Sequence, residues 1–400
     1  MDTHETAAPP GQGGRSRVLP PRPGRGLIAA LAVSGICVLI AMGIVLANGG
    51  PAGFGVSFAL GLAPLPILLA AVLALDRLEP EPRLNLLFAF AWGAGIAVVL
   101  GVVLELGGTL VLVRAFDVGE RAAETVTLVA VAPVVEEALK GAALLWLIWR
   151  CRREIDGPTD GIIYASMVGL GFAAVENMVY YSAAFTEAGT EGAVGLFVLR
   201  GLVSPLGHPL FTSMIGLGVA YAVTSRRRGA FLAVPLGYLG AVLLHGLWNG
   251  TSALDSLPAL GAAYLLELVV ICALVVVTVR ERRRLVAMMS VYLPAYLPTG
   301  LVTPYDIGML GSLGTRRQAR RWARGIGAGR AMSDYQQAAT ELVMLHQRAE
   351  RDGTAPGNPG GLGNPGDLGG LAAERDALLA VMARSRESFV PRSPSQRQPA

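Results

Sequence analysis

From residue 27 to residue 279 the chain repeats one pattern: a long apolar run, then a short joint of polar, glycine, proline or arginine residues. Eight runs reach the length that a transmembrane helix needs, about 20 residues. They lie at 27–47, 54–75, 85–113, 123–149, 160–183, 192–224, 230–252 and 258–279. The first follows basic residues, and Val45 and Ala47 fit a signal-peptidase site, but its apolar run exceeds the roughly 7–15 residues of a signal-peptide core. It therefore predicts an uncleaved signal anchor. After residue 279 the pattern turns amphipathic. Ser333 is placed to cap a helix with Ala338, Leu342 and Leu345 on one stripe, and 371–389 reads as a second amphipathic helix. His346, in the same stretch, reads as ordinary surface.

The predicted fold is all-α, a polytopic transmembrane helix bundle of about eight spans with a small helical cytoplasmic tail. Its parts are a disordered segment at 1–26, the membrane domain at 27–279, a basic and helical segment at 280–351, a Gly/Pro linker at 352–370 and a helix with a disordered end at 371–400.

Composition places the chain in a membrane. Hydrophobic residues are 53% of the 400 and charged residues 16%, and the mean hydropathy is +0.52, more apolar surface than a soluble domain can bury. The net charge of +4 does not signal nucleic acid, because the arginines fall in alternate joints. Arg15, Arg17, Arg22 and Arg25 precede the first span, and Arg77 and Arg83 follow the second. Arg150, Arg152 and Arg153 follow the fourth, Arg226, Arg227 and Arg228 the sixth, and Arg280, Arg282, Arg283 and Arg284 the eighth. The other joints hold only Arg114 and Arg121, with acidic residues such as Glu187 and Glu191. This alternation predicts that both termini are cytoplasmic. Cys37, Cys151 and Cys272 show neither disulfide nor metal-ligand spacing.

Candidate chemistry lies where polar residues interrupt the apolar runs, since an ionisable group there costs roughly 2.5–3.5 kcal/mol even on insertion scales. The fourth span reads AVAPVVEEALKGAALLWL, with Glu136, Glu137 and the only lysine of the chain, Lys140. Glu136 and Lys140 can pair along one helix face, while Glu137, about 100° away, addresses another neighbour. The fifth span carries Glu176 and Asn177, behind which Gly161, Ala165 and Gly169 permit close helix approach. The sixth holds His208 between Pro205 and Pro209, and the seventh holds His245 and Asn249 one turn apart. Glu105, Arg200 and Glu267 are scattered intramembrane charges outside this set, with Arg200 placed to snorkel. Four consecutive spans thus supply carboxylate, imidazole and amide groups to one feasible cavity.

Carboxylates and histidines without a nucleophile–base pair suggest activated water. A divalent metal, zinc by preference, would need deprotonated glutamate and neutral histidine ligands with one carboxylate left as base. Without metal, a desolvated carboxylate could itself deprotonate water. Asn249 could steady an oxyanion in either case. The rival classes are a proton-coupled transporter, against which no inverted repeat of the motif set is present, and an inactive scaffold.

Glu-Glu-x-x-Lys (Glu136, Glu137, Lys140), Phe-x-x-x-Glu-Asn (Phe172, Glu176, Asn177), His208 and His-x-x-x-Asn (His245, Asn249) follow one another, one motif per span, over roughly residues 60–280. In this the chain resembles the PrsW family of bacterial intramembrane proteases, itself similar to CAAX prenyl endopeptidases and bacteriocin-processing enzymes. The resemblance implies a multi-pass protein of the bacterial plasma membrane. It implies a glutamate-dependent, metal-assisted hydrolase that clips membrane-anchored proteins, in some members an anti-sigma factor. Glu136 would activate water beside Glu137, and Lys140 would set the charge state of Glu136. His208, His245 and Glu176 would bind metal or water, with Asn249 at the oxyanion. The CAAX relatives have a histidine where this chain has Glu176.

Overall fold

The structure is a computed structural model and describes residues 24–75, 81–151, 155–254, 256–351 and 368–389. The expectations attached to 1–23, to the linker up to 367 and to the chain from 390 lie outside the described residues. Every described element is helical, with no strand among the described residues. Five helical stretches are long and apolar enough to cross a membrane: Arg25–Leu75, Arg83–Ala115, Pro158–Thr224, Ala230–Ala253 and Leu257–Thr299.

Two of the five fold back on themselves at a glycine in the left-handed region, which only glycine enters without strain. Helix α1 (Arg25–Leu62) turns at Gly50, φ 60°, and Pro51 opens the second arm, where a missing N–H costs nothing. Both arms lie along α7 (Pro158–Phe197). Ser182 and Thr186 donate to the carbonyls of Val45 and Asn48 on the first arm, each at 2.9 Å. Gly53 and Gly61 on the second arm face Phe185 and Met178. α7 turns in its own right at Gly189, φ 64°, which returns Gly192 to Ala184 and Gly201 to Tyr181.

Between these hairpins, α2 (Leu65–Leu75) extends the second arm, and α3 (Arg83–Trp92) runs through a π turn at Gly93–Ala97 into α4 (Val98–Ala115). α5 (Glu120–Val126) passes through a second π turn, Thr127–Val131, into α6 (Ala132–Cys151). With Glu136, Glu137 and Lys140 at its centre, α6 is not among the five apolar stretches. A third π turn, Val198–Val203, leads from α7 to α8 (Gly207–Thr224), followed by α9 (Ala233–Ala253) and α10 (Leu257–Tyr292). The run expected to end at 279 continues as one helix to Tyr292.

The first arm of α7 is the axis of the bundle, buried without a break from Asp160 to Val175. Its glycines allow the neighbours to touch backbone to backbone. A Cβ at Gly161 would stand 2.2 Å from the Gly216 carbonyl oxygen of α8, and one at Gly169 2.7 Å from that of His208. The small-residue spacing seen in the sequence is therefore a helix-crossing seam. Leucines such as Leu39, Leu106, Leu236 and Leu265 face outward, where lipid is their natural solvent.

Beyond α10, a 3₁₀ turn at Leu293–Thr299 leads to α11 (Pro304–Leu310), α12 (Leu313–Gly325), α13 (Gly329–Arg351) and α14 (Leu368–Glu387). They close with the end of α10 around a separate core that includes Met289, Leu293, Leu310, Tyr335, Leu342 and Met382. Ala338, Leu342 and Leu345 are buried in it, but α13 starts at Gly329, so Ser333 lies inside the helix and caps nothing. His346 is not surface either. Its ring stacks on Tyr292, and its Nε2 is 2.6 Å from the Tyr296 hydroxyl, a burial that pushes its pKa down. Arg316 donates to the Gln336 carbonyl and the Thr340 hydroxyl, both at 2.8 Å, and burial draws its pKa down to about 10.

Candidate active site

The fold gathers polar side chains from α6, α7, α8 and α9 into one buried centre. Lys140 stands in its middle, fully buried. Its ammonium donates to Glu136 Oε2 at 3.0 Å and to Glu137 Oε1 at 2.9 Å, and lies 3.0 Å from His208 Nδ1. It also sits 3.6 Å from the centre of the Phe172 ring, a cation–π contact. Glu137 was expected to address a different neighbour from Glu136. It does so through its remaining capacity, accepting from Thr212 Oγ1 at 3.1 Å and facing His245 Nδ1 at 3.1 Å, yet both glutamates share the lysine.

Donor capacity assigns the histidine tautomers. An ammonium has donors only, so His208 Nδ1 accepts and its Nε2–H donates to Glu176 Oε2, 2.8 Å away. His245 donates Nδ1–H to Glu137, which leaves its Nε2 lone pair 3.9 Å from Glu136 Oε2. Glu137, with three donors, is the anchored carboxylate. Glu136 takes Lys140 alone among the cationic and hydroxyl groups of the centre, with the carboxyl of Glu105 within hydrogen-bonding reach. His208 and His245 meet edge to face at 5.1 Å, and Phe211 stacks on His245 at 5.0 Å. Such aromatic walls keep the local dielectric low and strengthen each polar contact inside.

One ligand atom from each of Glu136, Glu137, His208 and His245 falls within 4.8 Å of all the others. Two imidazoles and two carboxylates are a donor set that suits zinc. The Lys140 ammonium bonds three of those four side chains, so a metal held by all four must displace it.

Two expected site residues are used differently. Glu176 stands outside the converging group of four, on the far side of His208, where Arg200 Nη2 donates to it at 2.5 Å. Asn249 is one turn beyond His245, but its amide donates to the Leu128 carbonyl at 2.9 Å, tying α9 to the second π turn. Sequence reasoning missed Arg200 as a partner: instead of snorkelling it clasps Glu176 and donates from Nε to Asn177 Oδ1 at 2.7 Å. Its signal was present, as an arginine in mid-run with no joint beside it. Glu105 carried the same signal, a charge in mid-run, whereas Thr212 carried none, since only helix packing brings it to Glu137.

A multi-pass helical bundle with glutamates and histidines converging in its interior has the build of a hydrolase that works inside the membrane. The sequence model of the PrsW family of intramembrane metalloproteases matches residues 81–279. Protease PrsW of Clostridioides difficile (strain 630) is 30% identical over 198 residues, 48% of this chain and 77% of the relative. Protease PrsW of Geobacillus kaustophilus (strain HTA426) is 29% identical over 191 residues, 47% and 76% of the two chains. That of Oceanobacillus iheyensis is 33% identical over 118 residues, 29% of this chain and 49% of the relative. The chain belongs to the PrsW family of intramembrane metalloproteases. No solved structure matches it.

Proposed function

We propose that the chain is a glutamate-dependent endopeptidase that cleaves membrane-anchored protein substrates, an anti-sigma factor being one such class, in a bacterial plasma membrane. The observation that carries this reading is the convergence of Glu136, Glu137, His208 and His245 within one 4.8 Å group. Glu136 is the water-activating base, because Glu137 is committed to three donors while Glu136 and His245 Nε2 address the same space at 3.9 Å. Glu136 takes a proton from water as its oxygen attacks the scissile carbonyl, and returns it to the leaving amine. Lys140 offers positive charge to the tetrahedral oxyanion, and the amide of Asn249 keeps one N–H for it while the other serves the Leu128 carbonyl. Glu176 and Arg200 orient His208 from behind. Glu137, His208 and His245 would hold a divalent metal, zinc by preference, with Glu136 left as base, and when bound it would supply a Lewis acid that acidifies water.

The turns at Gly50 and Gly189 support eight spans. Split there, the five apolar stretches give seven rods, and α5–α6 is the eighth. With the arginine alternation this favours both termini in the cytoplasm and the membrane domain, tail and linker as separate units.

Glu136→Gln in purified, reconstituted protein tests the reading. Glutamine keeps the shape but cannot act as base, so cleavage of a single-span substrate should fall by about a thousandfold or more at near-normal abundance. A proton-coupled transporter is the second reading, favoured by the unbroken chain from Lys140 through His208 to Glu176. Intact cleavage by Glu136→Gln would remove Glu136 as the base, while a liposome proton flux without cleavage, lost on the substitution, would decide for the transporter.

A further inference from the structure

Glu267 is an intramembrane carboxylate that the reaction above does not use. It lies on α10 with only 8% of its surface exposed, while Leu265 and Leu268 beside it are mostly exposed. It therefore faces the bundle and not lipid. Its Oε2 accepts a 3.3 Å hydrogen bond from Ser204 Oγ. Its Oε1 is buried with no hydrogen-bond partner among the described residues. No described arginine or lysine pairs with it, whereas Glu136 and Glu137 share Lys140, and Glu176 holds Arg200. One turn earlier, the Tyr264 hydroxyl is likewise buried without a partner, and its ring meets Trp248 edge-on at 5.1 Å.

Glu267 adjoins the active centre through Ser204, and Tyr264 through Trp248. Ser204 and Trp248 line a cleft together with Arg200, Asn177 and the catalytic-centre His208. Ser204 stands where the third π turn gives way, and the helix does not resume until Gly207. A buried acceptor left unpaired costs roughly 1–3 kcal/mol, more if charged. The bond from Ser204, which lies between the third π turn and α8, satisfies only one of the two oxygens. A free acceptor, a free hydroxyl and two aromatic rings beside the cleft complement a cationic hydrogen-bond donor.

We propose that Glu267, with Ser204 and Tyr264, forms a recognition subsite that takes a lysine or arginine side chain of the substrate next to the scissile bond. The subsite rests on the protease reading. It makes Glu267 a specificity-determining residue and supplies the cation that its carboxylate lacks within the protein.

The test is a panel of single-span substrates in which one lysine, and in parallel arginine, glutamine, methionine or glutamate, is moved through the residues flanking the cleaved bond. Reconstituted wild-type protein should show one position where lysine or arginine raises kcat/KM by about tenfold or more over methionine and glutamine. In Glu267→Gln that ratio should fall to near one, and in Glu267→Lys it should turn in favour of glutamate. Because the ratio compares substrates on one enzyme, a general loss of activity does not affect it. The wild-type scan needs no substitution, so a variant that fails to accumulate leaves the preference readable. Cleavage with a flat scan, a glutamine preference, or a cation preference that survives in both variants would overturn the subsite alone. Wild-type protein that cleaves no member of the panel would overturn the protease reading itself.

Discussion

Lys140 has more partners in the structure than its sequence spacing offers. In the sequence it pairs along a helix with Glu136. In the fold it bonds two carboxylates and an imidazole from two helices, the place that a metal held by the same donors would need. Lys140→Met leaves Glu136 and Glu137 without that cation and should cost roughly 3–5 kcal/mol, read as a lower thermal midpoint in detergent. Zinc should then raise the midpoint of the variant more than that of wild type, because no ammonium has to be displaced. Equal shifts would mean that metal and ammonium do not share one place. The bond from Asn249 to Leu128 was not legible for a similar reason: that carbonyl belongs to a π turn that no pattern of side chains announces.

At the scale of elements, α7 positions the site through what it lacks. Gly169 lets the start of α8 approach so closely that an added Cβ would lie 2.6 Å from the Pro209 nitrogen. Gly169→Ala must push His208 away from Lys140 and Glu176, and a displacement near 1 Å is worth about a hundredfold in rate. Cleavage should fall by about tenfold to a hundredfold, with helical content by circular dichroism unchanged. Gly195→Ala, whose Cβ would meet nothing within 4 Å, is the matched control and should behave as wild type. If the two variants behave alike, the seam does not set the histidine. The seam itself was legible in the Gly161, Ala165, Gly169 spacing, because helix approach depends on side-chain size at every fourth residue. Which helix it approaches was not.

For the whole molecule, the arginine alternation and the two glycine turns make a joint prediction. Reporters fused at 50, 117, 188 and 255 should be periplasmic, and those at 80, 154 and 227 cytoplasmic. Two joints on the wrong side would break the eight-span reading. Stopping the chain near residue 300 leaves every intramembrane polar group in place but uncovers Met289, Leu293 and Tyr296, which the tail helices bury. The shortened protein should insert and cleave, at lower abundance by immunoblot. A well-inserted but inactive product would place part of the site in the tail.

The sequence by itself determined that the chain is helical, that it is a membrane protein, and that Glu136, Glu137, His208 and His245 are candidates for one centre. Apolar runs, small-residue spacing and charges in lipid are local properties, and the cost of a buried charge makes them readable residue by residue. Tertiary structure alone decided how those groups are used. Glu137 became the anchored carboxylate and Glu136 the freer one through Thr212 and His245. Arg200 turned from a snorkelling charge into the clasp on Glu176. Glu267 kept an unpaired oxygen beside the cleft. A hydrogen bond depends on separations of a few tenths of an ångström between helices far apart in the chain, and packing, which sets those separations, is not written in any one helix.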